Sequence, residues 1–385
     1  MTLERWYHRA AVVIWPRAKH FQVLYGAGTD AAVGGLATMV ESLKRATKSR
    51  REEQRQECLS FAAAIIDLWQ PFAYRPSWEQ PGVDRNVFPV SLCELNDPQL
   101  VRRFLTELMP ADSTVQLDKS FGKLCKQHGW ASFERELTAV IEATTAATIA
   151  RNAELMRLLC VLRDASAERI ELCGRLSERM VHAVETLDNT PSQNWQAREV
   201  DRAALLCSLV TAMLAVCAEK PLGRMIDYTL SCGKFDLTDT HLAAMFILEK
   251  RLAKLPRSSA AVSRWVSTCR RELEKRTSKA PRKPTDFRRD DELSCNCSDC
   301  GALAAFLADP SQKQARFPLA KKRRQHLHQI IELNRCDCTH ETERRGRPYT
   351  LVCTKTTASY EAACEIHNRD QGHLARVVRI KKQLC

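Results

Sequence analysis

Between Ala37 and Thr268 the apolar residues return at three- and four-residue steps, interrupted only by polar or proline-containing gaps. That is the period of an α-helix with one buried stripe, and a pleated strand cannot use it. "QECLSFAAAIIDLWQPF", from Gln56 to Phe72, shows the pattern and stops at Pro71. "DPQLVRRFLTELMP" predicts a short helix with Asp97 as N-cap and Pro98 in the first turn. Lys119 to Asp164 predicts two or three amphipathic helices. "DRAALLCSLVTAMLAVCAE" is apolar nearly all round, which places it centrally. "DLTDTHLAAMFILEKRLAKL" opens with Thr238 or Asp239 as the expected cap. Only 13 glycines and 15 prolines punctuate the 385 residues, which disfavours a sandwich or barrel. No strict repeat is present. The expected class is therefore mainly α, an irregular helical array of either the α-solenoid or the bundle kind.

Two departures flank this array. Residues 1–25 read as a short N-terminal β-hairpin. "AAVVIW" (Ala10 to Trp15) is an apolar run stopped by Pro16, and "FQVLY" (Phe21 to Tyr25) alternates with period two. At the other end, residues 270–294 are dense in charge and carry Pro281 and Pro284, the signature of a linker or exposed strap. Beyond it, residues 295–385 form a small α+β, Cys-rich module. "GALAAFLADP" predicts a helix ending at Pro310. "LAKKRRQHLHQIIEL" predicts a second, with Leu319, His326, Ile330 and Leu333 near one face. Alternation over Thr339–Glu343 and Tyr349–Lys355, with "RRGRP" between, predicts a β-hairpin, and a last helix follows from Ser359.

Cysteine chemistry concentrates in that module. Of the 17 cysteines, most sit singly in apolar helical patterns, as Cys160, Cys207 and Cys217 do, and read as small buried hydrophobes of a reducing compartment. "SCNCSDCG" differs, setting Cys295, Cys297 and Cys300 in a C-x-C-x₂-C triplet ahead of a helix. A tetrahedral zinc site needs four converging Cys or His donors. "RCDCTH" supplies the expected fourth, Cys338, with Cys336 and His340 as alternates. Such a structural zinc clasp would tie hook, helix and hairpin together, and a module this small gains most from that kind of staple.

Charge is uneven. Of the net +13, the residues from Arg270 onward contribute +10, from 25 Lys and Arg against 15 Asp and Glu. Nucleic acid is one expected partner for that module; a solvated basic face is the alternative. No apolar run reaches the roughly 18 residues of a membrane span, and no membrane partner is expected. The first 15 residues carry charge throughout, without a signal-peptide core. An intracellular protein, cytoplasmic or nuclear, is therefore expected.

The ten histidines, His8, His20, His128, His182, His241, His326, His328, His340, His367 and His373, contain no His-x-Asp or His-x-Glu pair for a facial iron triad. Nor is there a nucleophile elbow, a Walker loop or a zinc-protease motif. No catalytic or cofactor-binding residue is assigned, and no iron is expected.

"ERWYHRAAVVIWPR" nonetheless resembles a segment of large proteins that carry a prolyl-hydroxylase-type Fe(II)/2-oxoglutarate oxygenase domain. In them a similar string follows the oxygenase domain and leads into a long helical region. "CNCSDCGALAAFLADP", "FPLAKKRRQHLHQII" and "THETERRGRPYTLVCTKT" resemble the C-terminal end of the same proteins. The resemblance implies that the family's catalytic domain lies upstream of Met1, and that Arg5–Arg17 is the junction to it. The expected function is then a non-catalytic accessory or scaffold protein binding a protein partner or a substrate. A truncated 2-oxoglutarate dioxygenase and a zinc-stabilised nucleic-acid binder are the alternatives.

Overall fold

A computed structural model describes residues 29–69, 84–112, 114–187, 200–252 and 259–384. The hairpin expected within residues 1–25 lies outside them. The class is mainly α, with fifteen α-helices among the described residues and one small antiparallel sheet. The chain divides into two compact units, Met1–Trp265 and Val266–Gln383.

The first unit is helical. Its helices are α1 (Thr29–Lys44), α2 (Lys48–Asp67), α3 (Val87–Leu95), α4 (Pro98–Arg103, continued by a π-turn to Leu108), α5 (Ser120–His128) and α6 (Glu134–Glu142). They are followed by α7 (Ile149–Val161), α8 (Ala167–Leu187), α9 (Arg202–Ala215), α10 (Glu219–Ser231), α11 (Ala243–Leu252) and the start of α12 (Ala260–Thr277). Packing joins helices near in sequence: α1 on α2 and α3, α6 on α8, and α9 on α7, α10 and α11. Asp97 caps α4 by accepting from the backbone N–H groups of Gln99 and Leu100, with Pro98 in the first turn. The centre is α9, where Leu205, Leu206, Leu209, Val210, Thr211, Ala212 and Met213 are all buried. Each large apolar side chain buried in this way contributes about 1.5–3 kcal/mol before entropy is charged against it.

One start site moves. The cap of the segment entering α11 is Asp236, whose carboxylate accepts from Thr238 N at 2.6 Å and Asp239 N at 2.9 Å, rather than Thr238 or Asp239. The segment begins with a π-turn over Leu237–Leu242, which turns His241 inward. There Trp265 Nε1 donates to His241 Nδ1 at 3.0 Å, and His241 Nε2 faces Thr229 O at 3.1 Å. Nδ1 is thus the acceptor and Nε2 carries the proton, so His241 is neutral, and burial pushes its pKa down.

The second unit begins within α12. It holds α13 (Ser298–Ala308), β1 (Gln314–Pro318), α14 (Lys321–Leu333), β2 (Cys338–Glu343), β3 (Thr350–Lys355) and α15 (Ala358–Leu384). The hairpin of β2 and β3 forms with Cys338 opposite Lys355 and Glu343 opposite Thr350. A third strand, β1, extends it on the other side of β3, giving the order β1-β3-β2. Cys300, Leu303, Phe306, Leu307, Leu327, Ile330, Ile331, Leu351 and Cys353 form the core between α13, α14 and the sheet. Leu333, expected on that face of α14, is the last residue of the helix and is 72% exposed.

The charged strap is built into this unit. Phe287 N donates to Pro310 O at 3.0 Å and Arg289 N to Leu307 O at 2.8 Å. The guanidinium of Arg289, buried, donates to Thr356 O at 2.6 Å and Asp286 O at 3.1 Å. Asp291 accepts from Asp337 N at 3.0 Å. Residues 286–291 are therefore a fixed edge of the module and not a free linker.

Candidate metal centre

Three of the four expected ligands meet. Cys295 and Cys297 stand on the extended hook before α13, and Cys300 is in its first turn. The hook runs alongside α14. Ser294 N donates to Asn334 Oδ1 at 3.2 Å, the Cys297 and Cys300 sulfurs lie 3.5 and 3.2 Å from His326 Nε2, and Asp299 takes a bidentate grip from Arg323. The donor atoms of Cys295, Cys297, Cys300 and His326 all lie within 4.8 Å of one another. The group can hold a metal ion.

The fourth member is His326 and not Cys338. Geometry along α14 gives the reason. His326 is mid-helix, whereas the chain reaches Cys336 and Cys338 only after Leu333, about 10 Å further down the axis at 1.5 Å per residue. There Cys336 N bonds back to Ile331 O at 3.1 Å. Cys338 and Cys336 are both buried in the core cluster. The Cys338 thiol donates to Thr339 O at 3.2 Å. Its pKa is drawn down by a thiol contact with Cys353, whose own is driven up. Burial pushes Cys336 up to about 11. His340 stacks edge-on with His328, ring centres 4.5 Å apart, and its Nε2 is 3.7 Å from Glu332. None of these three reaches the triplet. Asp337, between the two cysteines, works as a cap instead, accepting from Ser359 N at 2.7 Å at the start of α15.

Electrostatics divides the triplet. Backbone N–H groups at the start of α13, that of Cys300 above all, together with the Cys300 thiol and His326, lower the Cys297 pKa to about 6. Burial, reinforced by Cys297, pushes Cys300 up to about 12. Cys297 is thus the more readily ionised of the two, whereas Cys300 would give up its proton only when displaced by a bound cation. Arg323 sits one helical turn before His326, so its pair with Asp299 fixes α14 against the hook at the point where the imidazole must meet the sulfurs.

His326 is hard to single out in the sequence, because it sits inside a basic run and at a position that fits the core face of its helix. The signal that does exist is the pairing of a Cys triplet at a helix start with a His on the next helix. No family profile, curated protein or solved structure matches the chain, so none of these comparisons links it to oxygenase-bearing proteins. Among the described residues, no helix is long and apolar enough to cross a membrane.

Proposed function

We propose that Cys295, Cys297, Cys300 and His326 hold one structural zinc ion, and that the protein works by contact, as an accessory or scaffold protein for a protein partner. The convergence of three sulfurs and one imidazole nitrogen within 4.8 Å carries the metal reading. Thiolates are soft ligands and, with imidazole, suit zinc over calcium, magnesium or manganese. Four protein donors fill a tetrahedron and leave no position for water or substrate, which is the form of a structural site rather than a catalytic one. Zinc bound there supplies charge that keeps all three sulfurs deprotonated. The protein's own residues do the rest: α13 presents the triplet, α14 presents the imidazole, and Arg323 with Asp299 holds the two together. The resemblance of the end segments to oxygenase-bearing proteins makes such a catalytic domain the first partner to try.

Elemental analysis of the freshly reduced full chain should find about one zinc per chain. Cys297→Ser and His326→Ala should each lower it, and Cys338→Ser should leave it unchanged. Metal-free reduced protein, or a loss with Cys338→Ser equal to that with His326→Ala, overturns the assignment. Release of succinate from 2-oxoglutarate by the isolated chain overturns the contact role.

A further inference from the structure

The sheet register gathers the module's exposed cations at one end. Pro318 and Glu343 both lie opposite Thr350, so β1 and β2 finish, and β3 begins, in a single row. Two segments leave from that row: the start of α14, with Lys321 and Lys322, and the turn between β2 and β3, with Arg344, Arg345 and Arg347. Arg324 ties them together. Its buried guanidinium donates to Leu319 O at 2.5 Å and to Tyr349 O at 3.2 Å, and its Cζ sits 5.3 Å from the centre of the Tyr349 ring. Leu319 N donates to Tyr349 O as well.

All five gathered cations are exposed. Among the described residues no carboxylate pairs with any of them. Some exposed arginines elsewhere do find partners: Arg175 pairs with Glu134, Arg224 with Glu185 and Arg264 with Asp227. Glu343, at the end of β2 next to the turn, is already engaged by Arg316. Lys321 and Lys322 also stand in the first turn of a helix that has no acid there, against the preference of the helix dipole. Local folding does not call for this arrangement, and a polyanion does.

We propose that this end of the sheet binds the sugar–phosphate backbone of double-stranded nucleic acid, without reading its sequence. The patch is built of cations, and one face of the Tyr349 ring beside it is already occupied by Arg324. Single-strand binders stack bases on such faces, whereas a duplex needs only its phosphates neutralised. The inference does not depend on the metal.

The test is fluorescence anisotropy of a labelled DNA duplex with the full chain across a salt series. Five phosphate contacts give a slope of log affinity on log salt of about −4.5, or about a 500-fold loss between about 50 and about 200 mM salt. Arg344→Gln/Arg345→Gln/Arg347→Gln should flatten the slope to about −1.8, and that loss to about tenfold. Lys321→Gln/Lys322→Gln, outside the turn, should bring it to about −2.7, which guards against a misfolded loop variant. Lys48→Gln/Arg50→Gln/Arg51→Gln, removing three equally exposed cations at the start of α2, should change nothing. Absence of duplex binding, a slope unmoved by either patch variant, or an equal effect of the α2 variant refutes the proposal. So does tighter binding to a single strand of the same sequence, or binding to phosphatidylserine vesicles with none to the duplex.

Discussion

Zinc binding can be weighed as folding energy by melting the full chain in zinc buffers. A site that exists only in the folded unit stabilises it by RT ln(1 + [Zn]/Kd), so each tenfold rise in free zinc above Kd adds about 1.4 kcal/mol. The unit that contains the site spans Val266–Gln383, roughly 120 residues, for which 1 kcal/mol moves the midpoint by about 4 °C. The midpoint should therefore climb about 5–6 °C per decade of free zinc. Far-ultraviolet circular dichroism reads both units. Tryptophan fluorescence reads the first, because all seven tryptophans of the chain, the last being Trp265, precede residue 266. Comparing the two signals identifies which transition belongs to the zinc-bearing unit. His326→Ala should abolish the slope and Cys338→Ser should keep it. A midpoint independent of zinc over several decades would show that the four donors bind nothing worth folding for, however well they converge.

Three further outcomes follow from buried polar groups. Trp265→Phe strips the donor from His241 Nδ1 inside the first unit, where Trp265 is fully buried, and should cost about 1–3 kcal/mol by chemical denaturation. The same histidine sets a pH dependence. Its folded pKa lies below its unfolded value of about 6.5, so the unfolded chain takes up the proton first. Stability should hold above about pH 6.5 and fall below it, by at most about 1.4 kcal/mol per pH unit, and His241→Gln should remove that component. Asp337→Ala deletes the carboxylate that caps α15 at Ser359 and should cost about 1 kcal/mol in the same assay, with zinc content unchanged.

Much of the architecture is legible where one rule acts alone. Helical periodicity marks α4 and α9, the former with Asp97-Pro98 at its start, because caps and apolar stripes are local properties of the chain. Alternation marks β2 and β3 for the same reason. Strand β1 has no such mark: "QARFP" is five residues long and ends in proline, and only pairing with β3 makes it a strand. The cap of the segment entering α11 is Asp236 rather than Thr238 or Asp239 because the helical turn already begins at Leu237. The metal centre is three-quarters legible. A triplet of thiols six residues long announces itself, while a single imidazole 26 residues later is chosen by how α13 lies on α14, which is a tertiary matter.

Arg289 bears on where this protein can be cut. A fragment that starts at Cys295 keeps every metal donor yet discards the arginine that fastens Thr356 and the aspartate that receives Asp337 N. Three carbonyls, those of Leu307, Pro310 and Thr356, and the backbone amide of Asp337 would then lose these partners. Anyone excising the metal-bearing half for solution work should begin upstream of Asp286, since the stretch that composition marks as dispensable is where the next segment is anchored.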